Sequence, residues 1–209
     1  MSAKDCGSHG KKRQKIWRRI FWGILIFLFI VLVTILIVWA VLQPKKPKFI
    51  IQDITVYAFN ASIPNFITSN FQVTISSRNP NDEIGIYYDR MSIYASYRNQ
   101  QITLRTSIPP EYEGDKETNV WSPFIYGNSV PVAPYNSVTL SQDQSTGSVA
   151  LIIKIDGRVR FKVGTFTTGR YRLHVKCPAF IQFGSQTSGV VVGDNAVKYQ
   201  MLTSCSVSV

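Results

Sequence analysis

Apolar and polar positions follow two regimes along this chain. Residues 20–42 form a run of 23 without a charge, in which Thr34 is the one polar side chain. At about 1.5 Å per residue such a helix is about 34 Å long, enough to cross a hydrocarbon core of about 30 Å. Trp17 and Trp22 lie near one end and Trp39 near the other, where interfacial aromatic rings belong. The core of a signal peptide is shorter and ends in small residues. Here the run gives way to Gln43, Pro44, Lys45 and Lys46, so the pattern predicts one uncleaved spanning helix.

Beyond residue 49 the pattern alternates. Phe71, Val73 and Ile75 share one phase, as do Met91, Ile93, Ala95 and Tyr97. So do Val149, Leu151, Ile153 and Ile155, then Tyr171, Leu173, Val175 and Cys177, and finally Cys205, Val207 and Val209. Period two with one polar face marks half-buried antiparallel strands. Turn formers separate them, among them Asn60-Ala61-Ser62, Asn79-Pro80-Asn81, Asn99-Gln100, Asp156-Gly157, Gly184 and Gly193-Asp194. No window past residue 50 carries a helical apolar stripe; residues 143–147 suit at most a single turn. The segment 105–137, rich in Pro and charge, is expected to hold the longest loops. The fold class is therefore mainly β: a single N-terminal transmembrane helix followed by an antiparallel β-sandwich of immunoglobulin or fibronectin-III-like type. The division reads as a basic cytosolic tail (1–19), the transmembrane helix (20–42), a stiff Pro/Lys stalk (43–48) and one sandwich domain (49–209). The tail up to residue 15 has no apolar periodicity and is expected to lack structure.

Charge refines this picture. The formal net charge is +11, but most of it sits beside the membrane run. Lys4, Lys11, Lys12, Arg13, Lys15, Arg18 and Arg19 precede the helix, and Lys45, Lys46 and Lys48 follow it. The heavier cationic flank places the amino terminus in the cytosol. From residue 51 onward the charges nearly balance, which removes the footprint of a nucleic-acid binder.

On that topology Cys177 and Cys205, both on apolar strand phases, are expected to pair, with two free buried thiols as the alternative. Cys6 remains a cytosolic thiol. The sequon at Asn60 falls in the first expected loop, on the exported side, and is a glycosylation candidate. Catalytic chemistry finds no footing: no metal-ligand spacing, no nucleophile elbow and no phosphate loop. His174 reads as a surface strand histidine. Glu111, Glu113, Asp115 and Glu117 read as one solvated acidic loop or a weak cation site. No catalytic residue, cofactor or metal is therefore expected, and the chain reads as a non-enzyme. Arg158, Arg160 and Lys162 alternate on the polar phase of one strand, which makes them the candidate face for an anionic partner, with a solvated strand face as the bland alternative.

Three features together carry a resemblance: the basic tail, helix and Pro/Lys stalk; Asn79-Pro80-Asn81 followed by residues 84–89 (IGIYYD); and residues 155–164 (IDGRVRFKVG). The chain resembles the plant harpin-induced-like, or non-race-specific disease resistance, family, whose exported part is a late-embryogenesis-abundant group 2 domain. The resemblance covers essentially the whole chain. It implies a single-pass plasma-membrane protein of defence or stress responses with a fibronectin-like sandwich and no established catalytic activity. The expected partners are the lipid bilayer, proteins at the plasma membrane (a second copy included) and a cell-wall polymer, with no nucleic acid. A non-catalytic adaptor or tether is the first functional reading. An extracellular module for anionic wall polymer or lipid is the second.

Overall fold

A computed structural model describes residues 8–41, 44–62, 65–183, 189–192 and 196–209. Cys6, Gly184, Gly193 and Asp194 lie outside these. Two compact units emerge, Met1–Gln43 and Pro44–Val209. In the first, helix α1 spans Ser8–Val41. It begins within the tail expected to be unstructured, because the helix has nothing to stop it: Lys11, Lys12, Arg13, Gln14 and Lys15 are all good helix formers. Within it Ile16–Ile37 is long and apolar enough to cross a membrane, by a criterion that a signal sequence also meets. A helix apolar on every side needs an apolar surrounding.

The second unit is built from strands. β1 (Lys48–Ser62), β2 (Phe66–Arg78) and β3 (Ile84–Tyr97) come first. Five short strands follow: β4 (Gln100–Gln101), β5 (Thr106–Ile108), β6 (Glu111–Glu113), β7 (Thr118–Trp121) and β8 (Phe124–Pro131). Helix α2 (Pro134–Thr146) leads into β9 (Ser148–Val163), β10 (Phe166–Thr167) and β11 (Tyr171–Gln182). β12 (Val190–Val192), β13 (Ala196–Ser204) and β14 (Ser206–Ser208) complete the chain. One sheet runs β12-β13-β1-β2, with β7 and β8 both on the far edge of β2. The other runs β14-β11-β9-β3, with β4, β5 and β6 along the free edge of β3 and β10 beside β9. Every pairing is antiparallel. The inward phase of each long strand fills the space between the sheets: Phe71, Val73 and Ile75 from β2 face Leu151, Ile153 and Ile155 from β9, all fully buried or nearly so. Each such side chain contributes about 1.5–3 kcal/mol, and this is the expected sandwich.

Four expectations fail in instructive ways. The segment 105–137 holds four short strands and the start of α2, because its backbone pairs with the edges of β2 and β3. α2 is a full helix in which Leu140 is the one buried apolar side chain, Tyr135 and Val138 being exposed, so no stripe betrays it. Tyr97 Oη donates to Asp143 at 2.6 Å and fastens it to β3. Asp156-Gly157 is not a turn: β9 runs straight through, and a Cβ at Gly157 would lie 2.8 Å from Met91 Cγ and 2.9 Å from the Arg90 carbonyl. Glycine is there for the close approach of β3 at the bulge between Tyr88 and Arg90. Cys205 is not within a strand. It is the residue at which the chain leaves β13 in one sheet and enters β14 in the other, and its disulfide to Cys177 ties that crossing to β11.

Candidate functional site

The conspicuous sequence motif, Asn79-Pro80-Asn81, turns out to be a buried junction. Asn79 Nδ2 donates to the carbonyls of Ile84 (2.7 Å) and Gly114 (2.9 Å), which fixes the turn between β2 and β3. Asn79 Oδ1 in turn accepts from the backbone and side chain of Asn81. Asn81 then reaches the stalk: its Oδ1 accepts from the Lys45 N–H at 2.8 Å and its Nδ2 donates to the Lys45 carbonyl at 3.0 Å. Pro47 is buried as well. Residues 44–48 are thus held against the sandwich by two hydrogen bonds at one residue.

Next to this junction the acidic loop divides. Glu113 is fully buried, and its Oε2 accepts from Tyr88 Oη at 2.6 Å and from Ser77 Oγ at 3.0 Å. Its Oε1 has no partner among the described residues. Burial pushes the Glu113 carboxyl up, more than the hydrogen bonds from Tyr88 and Ser77 bring it down, and pushes the Tyr88 phenol far above its ordinary range. Glu117 receives the Gly114 N–H, and Lys116 pairs with Asp82. The four acids do not form one solvated patch. Strand register turns Glu113 inward at β6, opposite Ile86.

The outward face of the β11-β9-β3 sheet carries the charge chemistry. Of the three cations singled out in the sequence, Arg160 is engaged: its Nε and Nη2 grip both oxygens of Asp89 at 2.6–3.1 Å, and its guanidinium lies 5.2 Å from the Tyr87 ring centroid. That hydrogen bond holds the Asp89 carboxyl below its usual value. Lys162 lies half-buried over the Tyr112 ring. Arg158 alone stands fully exposed, and it has acquired neighbours that spacing within one strand does not show. Arg90 of β3 and Arg172 of β11 lie directly opposite it on either side. Both are exposed, and among the described residues no carboxylate comes within ion-pair distance of any of the three. The charge of Arg158 is the smallest of the contributions that lower the Asp89 carboxyl. One step along β9 the next outward row is Asp156 beside His174, with Ser208 of β14 beyond it. A further step brings Lys154 opposite Lys176.

Asp156 is the hub of that middle row. It accepts from Tyr94 Oη (3.0 Å) and Arg105 Nη1 (3.0 Å), and shares a 2.9 Å hydrogen bond with His174 Nδ1. Burial raises its carboxyl, but the hydrogen bonds from His174 and Tyr94 and the charge of Arg105 outweigh this, and the net shift is downward. The sequence showed His174 as isolated; its partner lies across the ladder at a separation of 18 residues. Tyr94, Lys154, Asp156, His174, Lys176 and the two serines Ser206 and Ser208 line an open concavity of about 410 Å³. Asp156, His174 and Ser208 have the composition of an acyl-transfer triad. Such a triad needs the serine hydroxyl on the second imidazole nitrogen, and among the described contacts Ser208 makes none with His174. The arrangement is a polar concavity bordered by cations. No group of three metal-ligating side chains occurs among the described residues.

Asn60 lies near the end of β1, paired with Thr68 in β2, rather than in a loop. It is exposed.

Comparison with known proteins places this architecture. A family model described as late embryogenesis abundant protein matches residues 74–178. NDR1/HIN1-like protein 1 of Arabidopsis thaliana is 64% identical over 208 residues, covering 99% of this chain and 100% of that protein. NDR1/HIN1-like protein 12 of the same plant is 60% identical over 210 residues, covering both chains completely. Among solved structures, a solution structure of a putative late embryogenesis abundant protein aligns with a TM-score of 0.34 and 17% identity, over 68% of this chain and 74% of that one. The matched segment contains the Asn79–Asn81 junction, Glu113 and most of the charged face, and the identities extend through the apolar helix: the chain belongs to the NDR1/HIN1-like family, with a late-embryogenesis-abundant domain as its folded unit.

Proposed function

We propose that this chain is a single-pass plasma-membrane protein, amino terminus in the cytosol and sandwich outside the cell, that serves plant defence or stress responses as a non-catalytic adaptor or tether. Membership of the NDR1/HIN1-like family supports the setting. The observation that carries the mechanism is the clamp of Asn81 on Lys45. The clamp makes residues 44–48 part of the folded sandwich and not a loose spacer, so the surface offered to partners belongs to one folded body. Proximity labelling in intact cells, with and without immune elicitation, tests this. The full chain should enrich the same plasma-membrane proteins reproducibly, and variants that lack either the helix or the sandwich should lose them. Equal enrichment by the helix alone would refute the tether. The exposed Asn60 is proposed to carry a glycan, in which case Asn60→Gln and amidase treatment shift the band equally and not additively.

A second reading, an extracellular module for anionic wall polymer or lipid, is favoured by the row Arg90–Arg158–Arg172, which is unlike a surface chosen for stability alone.

A further inference from the structure

Like charges directly opposite each other on neighbouring strands destabilise a sheet. Here three arginines stand in one row across three strands, with Cα atoms of opposed residues about 4.5–5.5 Å apart. The same face shows that acids were available to this fold. Asp89 takes Arg160 and Arg170, and Asp156 takes Arg105 and His174, yet neither comes within ion-pair distance of the arginine row. Two steps along β9, about 13 Å away, Lys154 faces Lys176 across the ladder. The Lys154–Lys176 pair itself lines the concavity, together with hydroxyls, a phenol and an imidazole, all groups that hydrogen-bond to sugars, and the arginine row stands one outward row beyond Asp156 and His174.

From these placements we infer that the outward face of the β11-β9-β3 sheet binds a linear acidic polysaccharide, with sugar rings in the concavity, one uronate carboxylate on the Lys154–Lys176 pair that lines it and another on the Arg90–Arg158–Arg172 row beyond it. This rests on the second reading above and names its ligand class. Arginine forks suit planar carboxylates, which they hold through two parallel hydrogen bonds. The central Asp156 is itself satisfied by Tyr94, Arg105 and His174, so it does not cancel the cations on either side. A bilayer surface is the poorer fit, since a plane of headgroups meets the rim of a concavity and not its floor. A chain of sugars can lie within it.

The test uses the full chain in nanodiscs of zwitterionic lipid, with a defined oligogalacturonide as the probe and a neutral glucan oligomer and phosphatidylserine vesicles as comparisons. The unmodified protein should bind the oligogalacturonide with an affinity that falls steeply with salt, and should ignore the neutral glucan. Arg158→Gln with Arg172→Gln should weaken binding at least tenfold, and so should Lys154→Gln with Lys176→Gln. Lys162→Gln, on the same strand but turned to Tyr112, should bind as before. If both double variants stay folded and bind normally while Lys162→Gln does not, the proposed rows are wrong and the broader reading survives. If vesicles bind and the oligogalacturonide does not, the ligand class is overturned. If no anion binds at low salt, both this inference and the reading beneath it fall.

Discussion

A carboxyl group shut away from water is the least expected residue in this molecule. Glu113 sits in a run that reads as solvated, yet it is fully buried against Tyr88 and Ser77. No spacing rule reveals this, because β6 is three residues long and its inward phase depends on pairing with β3. Burial raises its carboxyl, so the folded chain holds that proton more tightly than the unfolded chain does. Its contribution to stability therefore grows as pH falls through the raised value, and is complete below the ordinary glutamate value of about 4.3. Asp89 and Asp156, with lowered carboxyls, pull the other way on acidification, so the informative quantity is the difference between variant and parent. In urea denaturation at pH 7 and pH 4.5, Glu113→Gln should lose the acid-side gain that the parent retains. Glu113→Ala should cost about 1–3 kcal/mol at either pH, since it removes the acceptor shared by the Tyr88 and Ser77 hydroxyls, only one of which can donate to the other.

Elements divide by whether their apolar period is visible. β2, β9 and β11 were legible because each buries one main phase against the opposite sheet, and β3 because its inward phase is apolar, although residues 93–97 are buried on both faces. α2 was not, because one buried leucine makes no stripe; its signals are Pro134 at the start and Gly147 at the end. Gly147 adopts φ of 93°, and its N–H closes the helix on the carbonyls of Asp143 and Gln144. Gly147→Ala forces an L-residue into that left-handed conformation, with its Cβ 3.1 Å from the Phe183 carbonyl. A loss of about 1–2 kcal/mol should follow, read as a lower urea midpoint with faster amide exchange in the last turn of α2. The charged face follows the same logic. Arg158 was visible in the sequence, but Arg90 and Arg172 join it only through register between strands 68 and 14 residues away. Alternation along β9 puts Arg160 and Lys162 on the outward face but does not show that Asp89 and Tyr112 engage them.

For the whole molecule, the sequence carried the two-part plan: a charge-free helix, then a sandwich whose last sheet crossing is bolted by Cys177–Cys205. The disulfide closes a segment with a separation of 28 residues. In the chain-entropy description such a loop is worth about 3.6 kcal/mol, so replacing both cysteines by alanine should lower the unfolding free energy by roughly that much in urea titrations. What the sequence hid is how the stalk is fastened to the sandwich, since the pairing of Asn81 with Lys45 spans 36 residues. Both functional readings depend on the sandwich standing outside a cell to which the helix holds it. Epitope staining of a chain tagged at both ends tests that most directly. The carboxy-terminal tag should be stained on unpermeabilised cells, with the amino-terminal tag retained on the same chain and reached only after permeabilisation. Staining of the amino-terminal tag on intact cells, or its absence from the mature chain, would contradict the account.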